Sequence, residues 1–220
     1  MEPKAFSQRS ELISEALEQQ LKLLLDKLCQ PVELTCLVDE GAKPQQMGTF
    51  LSHLASLSDQ LQCRFLSPGE DPQMEAALDG TMLPATGIAT PGTMPRMVFH
   101  GVPGGKEINS FAGALLCAGG AAKPLDKATL KEIGKIQHPM YLQICVSLGC
   151  QHCAQLVSYA QRVAWENPLV TAHMIDANLY PDLVSRYQIA RVPLMVVNEE
   201  KQFPGGKTMA ELTTLLRKCQ

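Results

Sequence analysis

Met140-Tyr141-Leu142-Gln143-Ile144-Cys145-Val146-Ser147 runs directly into Leu148-Gly149-Cys150-Gln151-His152-Cys153. The first eight residues read as a β-strand. The cysteine pair opens an amphipathic helix that carries Cys153, Leu156, Val157, Ala160, Val163 and Ala164 on one face. A strand, a cysteine pair and a helix start are the setting of a dithiol/disulfide redox site. A thiol attacks a disulfide only as thiolate, and a helix N-terminus favours that form through unpaired N–H groups and its positive dipole end. Cys150, at the helix start, is the expected attacking residue. Cys153, one turn further in, is placed to resolve the mixed disulfide. His152 lies between them. As an imidazolium it would stabilise the thiolate further; as a neutral ring turned to solvent it would do little.

A Cys-x-x-Cys pair is also half of a zinc site, which needs two more ligands. Cys145 is too near on the preceding strand, and no second pair occurs, so no metal site is expected. His53, His100, His138 and His173 are scattered without ligand spacing. No G-x-G-x-x-G fingerprint follows a strand, so no flavin or nicotinamide motif is visible.

The 220 residues suffice for one large domain or two small ones. Aromatic residues make up only 5%, so the core is aliphatic. A net charge of −3 gives no electrostatic case for nucleic acid or an anionic membrane. Met1 to Ser14 lacks a basic segment followed by an apolar one, so no secretory signal is expected. The stretch Ile108 to Ala122 is too short and glycine-broken to span a bilayer. A cytoplasmic location is the expectation from these features. Six of the eight cysteines stand singly, several in apolar runs, and read as buried free thiols.

Working outward, a helix is expected over Glu11 to Leu28 with Ser10 as N-cap, then a strand from Val32 to Val38. A helix from Gln45 to Leu57 and a strand from Gln62 to Leu66 follow. Ser67 to Met82 reads as irregular. Thr86 to Thr90 and Arg96 to His100 read as a hairpin, and Lys106 to Cys117 as a helix. The second half gives a helix from Leu125 to Ile136, the strand and dithiol helix above, and a strand from Leu169 to Ile175. A helix from Asn178 to Tyr187, a strand from Pro193 to Val197 and a helix from Thr208 to Lys218 complete it.

The halves repeat. Each reads helix, β-α-β, connection, β-β-α, and Pro103-Gly104-Gly105-Lys106 in one matches Pro204-Gly205-Gly206-Lys207 in the other. That order is the thioredoxin fold's. The expected class is therefore α/β: two tandem thioredoxin-like folds, with the active dithiol in the second only. The domains are residues 1–122 and 123–220. The first fold carries Asp39-Glu40-Gly41-Ala42-Lys43 where the second carries its cysteines. In this fold a cis-proline faces the dithiol, and Val192-Pro193 stands in that place, which makes both residues the expected partner-binding site. Thioredoxins carry a buried Asp six residues before the first cysteine; here that position is Ile144.

The chain resembles the N-terminal domain of the bacterial alkyl hydroperoxide reductase flavoprotein subunit (AhpF). Lys27 to Leu34, Leu54 to Asp59, Leu115 to Gly120, Ser147 to Cys153 and Gly205 to Leu212 carry the resemblance, which covers Leu17 to Leu216. It implies two thioredoxin folds packed as one unit with one working dithiol, a flavoprotein as electron donor and a peroxiredoxin as acceptor. It also implies a glutamate of the first fold, here Glu107, that accepts the dithiol's proton. Otherwise Glu107 is simply an acidic residue in the first turn of its helix. The family pattern is Cys-His-Asn-Cys, so Gln151-His152 is a departure. The flavin and nicotinamide domains are absent, and the chain is either a stand-alone relative or a fragment. No bound cofactor is expected beyond the cysteine pair; flavin and NAD(P)H belong on a separate reductase. The alternatives are a general protein disulfide oxidoreductase or isomerase, and a non-enzymatic adaptor that binds an extended peptide near Pro193.

Overall fold

The computed structural model describes Phe6, Ser7 and Arg9 to Gln220. These residues form two compact units. One holds the chain up to Val102 together with 115–122; the other holds 103–114 and 123–220. Residues 103–114, assigned by the sequence reading to the first domain, thus group with the second.

In the first unit, α1 (Glu15–Leu25) precedes β1 (Val32–Leu37), α2 (Ala42–Ala55) and β2 (Leu61–Leu66). α3 (Pro72–Leu78), β3 (Ala85–Ala89) and β4 (Met97–His100) follow. β1 pairs parallel with β2 and antiparallel with β3, which pairs antiparallel with β4. β1 lies between β2 and β3 and is almost wholly buried, with only Glu33 half-buried.

Two elements depart from expectation here. α1 is capped by Ser14, whose hydroxyl accepts the Leu17 N–H, and not by Ser10. Ser10 is buried, and its backbone N–H donates to His53 Nδ1 at 3.2 Å. Within the stretch expected to be irregular, α3 forms because Asp71 accepts the Met74 N–H and Pro72 supplies a helix-ready φ in the first turn. Met74 and Leu78 then join Leu37, Leu66, Ala85 and Val98 in one apolar cluster. Burying a side chain such as Leu78 contributes roughly 1.5–3 kcal/mol, enough to hold a helix too short to stand alone.

The second unit begins with a 3₁₀ turn, Gly105–Glu107, and the first part of α4 (Ile108–Ala118). α5 (Lys127–Ile133), β5 (Met140–Val146), α6 (Gln151–Glu166) and β6 (Val170–Asp176) come next. α7 (Pro181–Arg186), β7 (Leu194–Val197), β8 (Lys201–Pro204) and α8 (Met209–Lys218) close the chain. β5 pairs parallel with β6 and antiparallel with β7, and β7 antiparallel with β8. This is the pairing scheme of the first unit, strand for strand. α7 is shorter than expected because Pro181 starts it, while Asn178 is held back by the Asp176 carboxylate. β8 has no counterpart in the sequence reading, which places only a turn near Pro204.

Candidate active site

β5 ends at Val146, and the chain turns once, with the Cys150 N–H donating to the Ser147 carbonyl at 2.9 Å. Cys150 is then the N-cap of α6. Its sulfur accepts the Cys153 N–H at 3.2 Å, as a serine oxygen does in an ordinary cap. The two cysteines form a disulfide with their Cα atoms 5.2 Å apart. Cys153 has no exposed surface, whereas Cys150 is half-buried. An incoming sulfur therefore meets Cys150 first. The same N–H is directed at the sulfur on which a thiolate would form. The other six cysteines form no disulfide; Cys36, Cys117 and Cys145 are buried as expected, Cys63 and Cys219 are half-buried, and Cys29 is exposed, contrary to the reading from sequence. Burial pushes Cys63 and Cys145 up to about 12. Such thiols stay protonated and inert near neutral pH.

Ile144 is fully buried on β5 and brings no acid to the pair. Glu107 does bring an acid into the same compact unit. The 3₁₀ turn that carries it contacts α6, and the Lys106 N–H next to it donates to the Leu148 carbonyl at 2.7 Å. Glu107 has no exposed surface. Its Oε2 accepts the Ser110 hydroxyl at 2.6 Å, while its buried Oε1 has no hydrogen-bond partner among the described residues. Burial first, and the Asp176 charge second, push its carboxyl from 4.5 up to about 7, against the opposing hydrogen bond from Ser110. A carboxyl poised there can take and return a proton at neutral pH.

Asp176 and Ser110 are absent from the sequence reading. Asp176 closes β6 opposite Val146, so it sits beside the strand end from which the cysteine loop departs. A buried carboxylate ending an apolar run was its sequence signal. Ser110 lies one helical turn beyond Glu107 and would have been found by asking what could bond a buried acid.

His152 is exposed. The Val192–Pro193 peptide bond is cis, the geometry expected there from the sequence, and so is Leu83–Pro84 in the first unit. Pro193 is buried and its carbonyl accepts the Gly205 N–H at 2.9 Å; Val192 is half-buried beside it. Among the described residues, no three His, Cys, Asp or Glu side chains converge to hold a metal ion. No described helix is long and apolar enough to cross a membrane.

Known proteins resemble this chain in sequence and fold. A thioredoxin-domain profile matches residues 140–217. The alkyl hydroperoxide reductase AhpF of Pseudomonas putida is 29% identical over 91% of the chain. The chain spans 36% of the length of that relative. A structure of Enterococcus faecalis AhpF, a C503A mutant, superposes with a TM-score of 0.87 at 31% identity, covering 94% of this chain and 100% of that one. The separately solved N-terminal domain of the same enterococcal protein gives 0.86 at 30% identity, covering 92% of this chain and 99% of that one. The chain is a thioredoxin-fold disulfide oxidoreductase homologue, and it belongs to the AhpF family of alkyl hydroperoxide reductases, as a relative of that protein's N-terminal region.

Proposed function

We propose that this chain relays electron pairs from a flavoprotein disulfide reductase to a disulfide-bearing protein, with a peroxiredoxin as the acceptor and peroxide removal in the cytoplasm as the outcome. One observation carries the reading: a half-buried Cys150 sulfur, capped by the Cys153 N–H, is bonded to a fully buried Cys153. In the reduced chain, the Cys150 thiolate attacks the partner disulfide and one partner thiolate leaves. The buried Glu107 carboxylate takes the proton of the Cys153 thiol. Cys153 then attacks Cys150, the intramolecular disulfide forms, and the partner leaves with its second thiolate. Two electrons pass to the partner, and a separate flavoprotein fed by NAD(P)H returns them to the pair. The redox group of this chain is the cysteine pair itself. Val192 and Pro193, beside one another at the start of β7, are the backbone on which the partner's extended segment docks, and His152 stands at the exposed rim. Family membership and the raised Glu107 carboxyl support this assignment of roles.

The test is a coupled assay with NAD(P)H, a thioredoxin-reductase-like flavoprotein and a peroxiredoxin turning over a hydroperoxide. Addition of this chain is expected to raise the rate of NAD(P)H oxidation at least tenfold, about the scale of a redox relay set against uncatalysed exchange. An unchanged rate removes the peroxiredoxin as acceptor.

A further inference from the structure

The duplicated Pro-Gly-Gly-Lys tetrapeptide reaches the cysteine-bearing segment with both of its copies. In the second copy, the Gly205 N–H bonds Pro193, and the Lys207 ammonium donates to the Pro204 and Gly205 carbonyls at 2.6 and 2.9 Å. A Cβ added at Gly206 would lie 3.6 Å from the His152 Cβ, an ordinary contact. The first copy approaches far more closely. Gly105 has a φ of +56°, and a Cβ there would stand 2.5 Å from the Leu148 carbonyl oxygen and 3.1 Å from its carbon. That obstacle is backbone, which cannot swing aside, and the φ itself disfavours a side chain. The missing Cβ is what lets the Lys106 N–H reach the same carbonyl. The bond joins the residue before Glu107 to the residue two before Cys150.

We propose that Gly105 is a positioning residue for the resolving step: by admitting the Lys106–Leu148 hydrogen bond, it fixes the Glu107 carboxyl relative to the Cys150–Cys153 pair. The inference rests on the exchange reaction proposed above, in which Glu107 accepts the Cys153 proton as Cys153 displaces the partner from Cys150. Asp176 of β6 is the other charge acting on Glu107, and exposed Lys106 and His152 are the remaining charged or titratable side chains of the turn and of the start of α6. Asp176 is untouched by a change at Gly105.

The attack and resolving steps separate when the reduced chain meets 5,5′-dithiobis(2-nitrobenzoate), because each releases one chromophoric thiolate. Cys29→Ser and Cys219→Ser remove competing thiols from the background. Gly105→Ala is expected to slow the second release about tenfold or more while leaving the first within about twofold, the scale of a small misplacement of a reacting group. In a Glu107→Gln background the same change should add less than about twofold, since both act through one carboxyl. If Gly105→Ala does not fold, Lys106→Pro, which removes that N–H donor together with the lysine side chain and fixes φ, should show the same selective slowing, while Lys106→Ala, which keeps the N–H, should not. Gly113→Ala, at a helix position with open space around it, should change neither step. Equal slowing of both steps, an unchanged second step, or full additivity with Glu107→Gln overturns the proposal. Two-step release that survives Cys150→Ser overturns the exchange reading instead.

Discussion

The two units build the same frame and put different chemistry at the same point in it. In the second unit the helix after the first core strand starts at Cys150, with Cys153 at the third helical position. In the first unit the corresponding N-cap is Gly41, which offers no side-chain cap, and the third helical position is Pro44. A proline lacks the N–H that Cys153 donates to the Cys150 sulfur. The Asp39 carboxylate instead closes that loop by accepting the Gly41 N–H at 2.8 Å. The first fold therefore lacks both cysteines and the amide that caps the Cys150 sulfur, while keeping strand order and a cis-proline before its third strand. The shared frame thus carries a cysteine pair, capped by its own amide, in the second unit alone.

The largest effect that tests this contrast comes from Cys150→Ser, which is expected to lower disulfide-reductase turnover at least 10³-fold, about the loss that follows removal of an essential nucleophile. Full turnover in that variant would mean that the other unit or another cysteine does the work. Glu107→Gln comes next. It should slow turnover at pH 7 by about 10–100-fold, the lower range of general acid–base contributions, and abolish an inflection near the carboxyl's raised value of about 7. The same variant has a stability signature. Because the folded-state value lies above 4.5, the folded chain holds this proton more tightly than the unfolded one, so stability is lost as pH rises from about 4.5 through about 7. Denaturant titration at pH 8 should then find Glu107→Gln more stable than the parent by on the order of 3 kcal/mol, and little different at pH 4.

Gly41→Cys with Pro44→Cys asks how much of the site can be restored in the first frame. Mass analysis should find a new disulfide there, once Asp39, whose carboxylate lies 2.9 Å from the added Cβ, moves aside. In a Cys150→Ser background the new pair should leave turnover below about a hundredth of the parent's, for want of an acid poised like Glu107. The smallest effects concern caps that the two units share in kind. Ser14→Ala and Thr208→Ala each remove a side-chain cap and should cost about 1 kcal/mol by thermal or chemical unfolding, with turnover unchanged.

What was legible in the sequence divides along physical lines. Buried parallel strands such as β5 and β6 announce themselves as apolar runs, and the prolines and glycines between them mark the turns, so the duplicated topology could be read. β8 could not, because only Phe203 of its four residues is even half-buried. α3 carried a signal, the Asp71-Pro72 start, but its burial depends on strands far along the chain. At the site, Cys150 and Cys153 were legible from their spacing together with the strand before them and the helix start at Cys150. Glu107 came from family resemblance, and its raised carboxyl from neighbours that no spacing rule connects: Asp176, Ser110 and the enclosing core. The role of Gly105 required coordinates, since nothing local says that residue 105 lies against residue 148.

The central claim is that Cys150 is the attacking sulfur, and trapping the intermediate tests it most directly. A reduced Cys153→Ser variant, mixed with a disulfide-bearing peroxiredoxin and mapped by peptide mass analysis, should accumulate a mixed disulfide through Cys150 that dithiothreitol reverses. A linkage through any other cysteine, or none in that variant while the parent turns over, would contradict the account.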